Sequence, residues 1–288
     1  MLIFIILIVV VCIYLLKRIY TPIRPISLCG VKLAIACMTK NPNSFDTWID
    51  YHRKLGICHF FIKVENTPDF TMSGNDITLT KGNGVQTYRF WDRQSEHVNN
   101  SIKVARQLGI THLLHIDDDE LLYCPNSVGN FYKVLSESTL HSCLHLRNYE
   151  SVAPHSKVVN PFKECKYFNT NKTDFTAYVN GKSIACLKHE AVQAKGPHLF
   201  SGTIKHINEE YAVVLHYESM VYSKWKDKFE NYLINGNKSQ CDNGSIPFKF
   251  YCESIDTVLD PEKGLETWSN YKLYKKNKTY KYIDLNLG

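Results

Sequence analysis

Four consecutive acids, Asp117-Asp118-Asp119-Glu120, interrupt an apolar stretch of this chain: Leu113-Leu114-His115-Ile116 leads in and Leu121-Leu122 follows. Acids on a solvated face usually have polar neighbours, whereas these are wedged between strand-like flanks. Burying several like charges without a counter-charge is too costly, so the group either protonates or holds a cation. Side chains two apart on an extended segment share a face, so Asp117 and Asp119 are expected to converge on one ion. Hard oxygen ligands favour Mg²⁺, Mn²⁺ or Ca²⁺ over zinc. The expectation is a metal–diphosphate site at the carboxyl end of a strand. The alternative is an acidic turn or structural calcium loop, but no Gly-punctuated calcium-loop spacing is present.

The surrounding pattern is that of an α/β protein. Residues 31–39 (VKLAIACMT) form a near-continuous apolar run, as in a strand covered on both faces. Asn41-Pro42-Asn43-Ser44 breaks that run and opens a helix with Phe45, Trp48, Ile49 and His52 at helical spacing. Gly56 ends the helix, and residues 58–64 read as a second strand, completing a βαβ unit. A third strand is expected over 84–91, an amphipathic helix over 95–108, and the acid-bearing strand over 111–116. A helix over 127–137 and a strand over 143–147 follow. Ligands of open α/β sheets lie beyond the carboxyl ends of the strands. Here those ends read Lys40-Asn41, Glu65-Asn66, Asp92-Arg93 and 117–120.

At 288 residues the chain buries a sizeable core, and its 22% charged residues with 18 Tyr and 14 Phe are a globular composition. The net charge of +6 suits anionic ligands or a membrane surface. It lacks the clustered basic stripe of a nucleic-acid binder, so no nucleic-acid partner is expected. Lys272, Lys275, Lys276, Lys278 and Lys281 read as a solvated tail. The cysteines include no Cys-x-x-Cys pair; Cys241 and Cys252 flank a loop and are a possible bridge. Residues 2–16 are apolar and end at Lys17-Arg18. Extended to Tyr20 they make about 19 residues, roughly 28 Å of helix, enough for a single-pass anchor. The expected organisation is an anchor at 1–20, a short stem at 21–30, a main domain at 31–240 and an extension at 241–288 packed on or trailing from it. Lys17, Arg18 and Arg24 after the anchor direct the body to the cytoplasmic side by the charge rule. Asn-x-Ser/Thr sequons at Asn99, Asn171, Asn237, Asn243 and Asn277 permit the luminal alternative, Golgi or ER.

An apolar strand, then Asp117-x-Asp119-Glu120, then an apolar pair resembles the DXD region of GT-A glycosyltransferases, closest to the family-2-like and family-92 branches. The opening Thr39-Lys40-Asn41-Pro42, Trp48-Ile49-Asp50-Tyr51-His52 and Leu55-Gly56-Ile57, with Glu65-Asn66-Thr67-Pro68-Asp69 beyond, is similar to the same group. Pro42 stands where that group has Glu. Downstream, Asn180-Gly181-Lys182-Ser183-Ile184 looks like the group's Gly-Lys-Ser strand. Gly196-Pro197-His198 and Leu215-His216-Tyr217 look like its two late histidine motifs. The likeness spans roughly residues 31–235.

That resemblance implies a GT-A, Rossmann-like fold with a mostly parallel sheet flanked by helices, and a metal-dependent transfer from a nucleotide-sugar to a hydroxyl of a glycan or glycoconjugate. A UDP-sugar is the expected donor and inversion the expected stereochemistry. Mn²⁺ or Mg²⁺ would be held by Asp119, with Asp117 at the ribose or the metal and His216 completing the shell. Lys40, Asn41, Glu65, Asp69 and Asp92 would meet the donor, and His198 the acceptor or phosphates. Trp48 and Tyr51 read as core. A general base is required for inversion; Asp174, Glu190, Glu209 and Glu210 are candidates, with Glu190 preferred. Competing readings are a metal-dependent nucleotidyl- or phosphotransferase using the same carboxylates, and a non-catalytic glycan- or nucleotide-binding module.

Overall fold

The computed structural model describes residues 30–82 and 90–287. The anchor at 1–20 and nearly all of the stem lie outside the described residues. Among the described residues no helix is long and apolar enough to cross a membrane.

In chain order the elements are β1 (Leu33–Thr39), α1 (Phe45–Lys54), β2 (His59–Glu65), β3 (Ile77–Gly82), α2 (Phe90–Gln107), β4 (His112–His115), β5 (Glu120–Tyr123), α3 (Val128–Glu137), β6 (Cys143–Leu146) and β7 (Asn148–Val152). There follow α4 (Pro161–Glu164), β8 (Tyr167–Asn169), β9 (Lys182–Cys186), β10 (Ile204–His206), β11 (Val213–His216), α5 (Tyr222–Ile234), α6 (Lys238–Asp242), α7 (Lys249–Thr257), α8 (Pro261–Lys272) and β12 (Lys281–Tyr282). A seven-stranded sheet has the order β10-β6-β9-β4-β1-β2-β3. Every neighbouring pair in it is parallel except those made by β9, which runs antiparallel to both β4 and β6. The fold is thus mixed α/β with a mostly parallel sheet flanked by helices.

All seven residues of β1 are buried, as its unbroken apolar run requires. Its pleat divides them between two cores. Leu33, Ile35 and Cys37 pack with Trp48 and Ile49 of α1, while Ala34 and Ala36 pack with Val98, Ile102 and Ala105 of α2. The third strand lies earlier than the sequence pattern indicates, at Ile77–Gly82. Phe90 and Trp91, assigned above to a strand over 84–91, begin α2; residues 83–89 are outside the described ones. Asp92 therefore sits in the first turn of a helix and not at a strand's end, a place where an acid complements the helix dipole.

β5 enters a second, five-stranded sheet of order β12-β8-β7-β11-β5, of which it is an edge. Helix α1 covers that edge with side chains. Trp48 Nε1 donates to the Glu120 carbonyl at 2.7 Å and the Tyr51 hydroxyl to the Leu122 carbonyl at 2.8 Å, while Leu122 N donates to His52 Nε2 at 3.2 Å. The Trp-Ile-x-Tyr-His run is a clasp that fixes where the acidic segment emerges.

Residues 241–287 are built into the molecule. Phe250 of α7 and Trp268 of α8 are buried with Trp225 and Phe229 of α5, and β12 adds an edge to the second sheet. Cys241 and Cys252 form a disulfide. The basic tail is not wholly solvated. Lys272 is buried, its ammonium donating to Thr176 Oγ1 at 2.6 Å and lying 3.6 Å from the Glu150 carboxylate, while Lys278 pairs with Asp174. Two buried carboxylates near its path, Glu150 and Glu218, make that burial tolerable.

Candidate active site

Strands β2 and β3 extend the large sheet on one side of β1, and β4 returns on the other. The carboxyl ends of β1 and β4 therefore flank a topological switch point, where open α/β sheets form their crevice. Thr39 closes β1 there and donates its hydroxyl to Asp118 Oδ2 at 2.5 Å. Beyond β4 the backbone turns, with Glu120 N donating to the Asp117 carbonyl at 3.2 Å. The turn ends the extended geometry that would have put Asp117 and Asp119 on one face.

Asp117 faces inward. Its carboxylate pairs with Lys182 of β9 and accepts from Gln94 Nε2 of α2 at 2.8 Å, and its own N–H donates to Glu120 Oε2 at 2.7 Å. Lys182 is 0% exposed and also lies 3.3 Å from Glu120 Oε2. Burial alone would raise Asp117, but the Lys182 ammonium holds it down at about 2. Glu120, buried and near Asp117, is pushed up to about 7 despite that lysine, and burial with the neighbouring Asp119 charge lifts Asp118 to about 7. One cation is thus shared among several acids. The antiparallel course of β9 makes this possible, because it brings Lys182 to the carboxyl end of β4.

Asp119 points elsewhere. In the β5–β11 ladder His216 stands opposite Glu120, and Tyr217 N donates to the Asp119 carbonyl at 2.8 Å. His216 Nε2 lies 3.7 Å from Asp119 Oδ2 and 3.7 Å from Glu218 Oε2, and one ligand atom from each of the three residues falls within 4.8 Å of the others. The Asp119 side chain is 38% exposed while His216 and Glu218 are buried, so the trio is open on one side. Burial would lower His216, but the carboxylates of Asp119, Glu120 and Glu218 push it up to about 9. Glu218 in turn is held by Lys228 of α5, Nζ to Oε1 2.8 Å, and by the Tyr251 hydroxyl of α7 at 3.2 Å. Burial opposes its charge, yet Lys228 keeps it well below the usual carboxylate range.

Two carboxylates and an imidazole, from the turn before β5 and the end of β11, are a donor set suited to Mn²⁺ or Mg²⁺. His216 Nδ1 is buried without a hydrogen-bond partner. Tyr178 packs between His216 and His198, its ring centroid 4.7 and 4.5 Å from theirs, and His198 Nδ1 is 2.7 Å from the Gly181 carbonyl. His198 therefore borders the trio through Tyr178.

The remaining candidates are dispersed along the sheet edge. Lys40 is exposed just after β1. Asn41 ties the ends of β1 and β2 together, its N–H donating to Thr67 Oγ1 at 2.9 Å and its Oδ1 accepting from that hydroxyl at 3.1 Å. Glu65 ends β2 in a two-pronged pair with Arg93 of α2, at 2.8 and 2.9 Å, and Asp69 is exposed beyond it. Glu190 is not brought to the site. β9 runs away from the acidic cluster, Cys186 pairs with His112 at the amino end of β4, and the Glu190 carbonyl is held there by Arg106 at 2.9 Å. Glu218 and Gln94 were unforeseen from sequence, and Lys182, noted only within the Gly-Lys-Ser strand, was given no role there. Glu218 was within reach of the same two-residue spacing applied to Asp117 and Asp119, counted forward from His216.

No family model matches the chain. It is similar to a glycosyltransferase-like protein of Arabidopsis thaliana, 23% identical over 238 residues, the match covering 62% of this chain and 51% of that protein. The chain thus spans about half the length of this curated relative. Among solved structures it shares a partial likeness with a CMP:2-keto-3-deoxy-manno-octonic acid synthetase complexed with CTP, at 11% identity and a TM-score of 0.28, covering 55% of this chain and 75% of that one. Another is Rv0371c from Mycobacterium tuberculosis H37Rv, at 10% identity and a TM-score of 0.25, covering 41% and 66%. Likenesses this partial say nothing of activity.

Proposed function

We propose that this chain is a divalent-metal-dependent glycosyltransferase. It would move a sugar from a nucleotide-sugar, a UDP-sugar by preference, to a hydroxyl of a glycan or glycoconjugate, with inversion. The observation that carries this reading is the convergence of Asp119, His216 and Glu218 on one open point beside the sheet's switch point. The likeness to a glycosyltransferase-like protein supports the reaction class.

Asp119, His216 and Glu218 would hold the ion, Mn²⁺ or Mg²⁺. Bound there, it neutralises the charge that develops on a departing nucleoside diphosphate. Lys182 fixes Asp117 and so anchors the turn from which Asp119 projects. Lys228 and Tyr251 keep Glu218 ionised and aimed at the same point. The β2 end would face the nucleoside. There Glu65 keeps lone pairs for ribose hydroxyls even while paired with Arg93, and Lys40, Asn41 and Asp69 lie alongside. Asp92, exposed in the first turn of α2, would join them.

Membrane attachment through 1–20 belongs to the same proposal. Disulfides persist in oxidising compartments, so the Cys241–Cys252 pair favours the luminal orientation over the cytoplasmic one. Glycan attachment at exposed Asn171, Asn243 or Asn277 of the expressed full-length chain tests that side of the membrane.

The deciding experiment is release of nucleoside diphosphate from a panel of nucleotide-sugars with Mn²⁺. Turnover is expected for one donor and is expected to fall at least 100-fold in Asp119→Asn, the scale of losing a principal electrostatic contact. Full turnover in that variant would overturn the assignment.

A further inference from the structure

The carboxyl edge of the large sheet continues past Lys182 to β6 and β10, on the side away from Glu65. There a cleft of about 450 Å³ opens between His145, Arg147, Lys172, His206, Asn208 and Glu209. His145 and His206 are paired across the two strands with ring centroids 5.0 Å apart. The cleft adjoins the acidic cluster: His145 Nδ1 lies 3.2 Å from the hydroxyl of Ser183, the residue after Lys182. That hydroxyl donates to the His198 carbonyl at 2.6 Å.

Charge in this cleft is unbalanced. Glu209 is the one acid lining it among the described residues, and both its oxygens are spoken for, one by Arg147 Nη1 and the other by the Tyr149 hydroxyl at 2.5 Å. The cationic donors are not all used. Arg147 Nε is buried with no partner, and Lys172 lines the cleft from an exposed position. A buried donor without an acceptor is costly. Further positive charge is resisted here: burial, His206 and Lys172 together hold His145 down at about 4. One buried guanidinium N–H without a partner and an exposed lysine on the wall of a cavity of saccharide size favour an anionic oxygen ligand.

We propose that this cleft is a subsite for an acidic saccharide, one bearing a carboxylate or a sulfate ester. That it holds the acceptor rests on the glycosyl-transfer reading; the binding itself does not. In the strand order of the large sheet, β2 with Glu65 and the cleft at β6 and β10 lie on opposite sides of β4, the strand that leads into the acidic turn.

The test is a ligand-observed NMR titration of the full-length chain in detergent with three matched probes: methyl β-D-glucuronoside, methyl β-D-glucoside 6-sulfate and methyl β-D-glucoside. At least one acidic probe is expected to bind about tenfold tighter than the neutral one, the scale of one charge-assisted hydrogen bond. The tighter of the two acidic probes names the group. Lys172→Gln and His206→Gln, both at exposed positions, are expected to weaken that probe about fivefold or more while leaving the neutral one unchanged. Equal binding of all three probes, unchanged affinity in both variants, or sodium sulfate binding as tightly as the sugar esters would each overturn the subsite. Donor hydrolysis without acceptor, measured alongside, reports on glycosyl transfer separately. If hydrolysis is absent while the acidic probe binds, the transferase reading fails and the subsite stands.

Discussion

His52 and Leu122 are joined by a hydrogen bond in which the imidazole is the acceptor: the Leu122 N–H donates to Nε2 at 3.2 Å, while Nδ1–H donates to the Trp48 carbonyl at 2.9 Å. A ring used this way is neutral, because protonation removes its only acceptor. Burial pushes His52 down to about 3. In the unfolded chain the ring takes up a proton near pH 6.5, so between those values the unfolded state binds more protons. Stability from this residue is full above pH 6.5 and falls as pH drops, by about 1.4 kcal/mol per unit. His97 and His112, each held near 4 by burial, act in the same direction. Urea midpoints are expected to decline measurably from pH 6.5 to 4.5; a flat profile would contradict this.

Lys182 is the counter-charge for two acids, the half-buried Asp117 and the buried Glu120. Lys182→Met is expected to cost about 3–5 kcal/mol, since it strands Asp117 and Glu120 without a cation. Adding Asp117→Asn should restore part of that loss in urea denaturation. Equal stability of the single variant and the parent would remove Lys182 from this role.

Glu218→Gln keeps the shape of the trio and removes one charge. Mn²⁺ affinity, read from the EPR signal of the free ion, is expected to weaken at least tenfold, on the scale seen for perturbed metal shells. Lys228→Met should weaken it too, although Glu218 itself remains. Its side chain is 30% exposed, so the stability loss should be smaller than for Lys182, about 1–2 kcal/mol. Affinity unchanged in both would place the ion elsewhere.

Gly181 has φ +60°, and an added Cβ would lie 2.0 Å from the Leu146 carbonyl oxygen and 3.1 Å from the His145 ring. Gly196 has φ +84° with nothing within 4 Å of such a Cβ. Gly196→Ala should therefore cost only the left-handed backbone penalty, about 1–2 kcal/mol. Gly181→Ala is expected to cost clearly more, because backbone must also shift. Thermal melts of the two variants, ranked the other way, would refute the argument.

Much of the architecture was legible because apolar runs report burial directly: β1, β2, β4 and the helix containing Val98 follow from their patterns. Strand β3 was missed because Ile77 to Gly82 is half-exposed at a sheet edge and carries polar residues. Asp119 stood out against its apolar flanks, and His216 through the likeness of Leu215-His216-Tyr217 to a late histidine motif. Asp117 was expected beside Asp119 on the assumption of extended backbone, which the turn at 117–120 breaks. Glu218 lies two residues beyond His216, but its burial depends on Lys228 and Tyr251, which arrive from the later helices α5 and α7. Local periodicity carries no information about such partners.

Those distant partners set an order of events. Glu218 acquires its ammonium from residue 228 and its phenol from residue 251, and Lys272 must slot in beside Glu150 for the same region to close. During synthesis the large sheet can assemble as soon as β10 has emerged, yet the corner around Asp119, His216 and Glu218 stays incomplete until the ribosome has released α8. A nascent chain stalled before that helix would carry a formed sheet beside an unfinished Glu218 pocket.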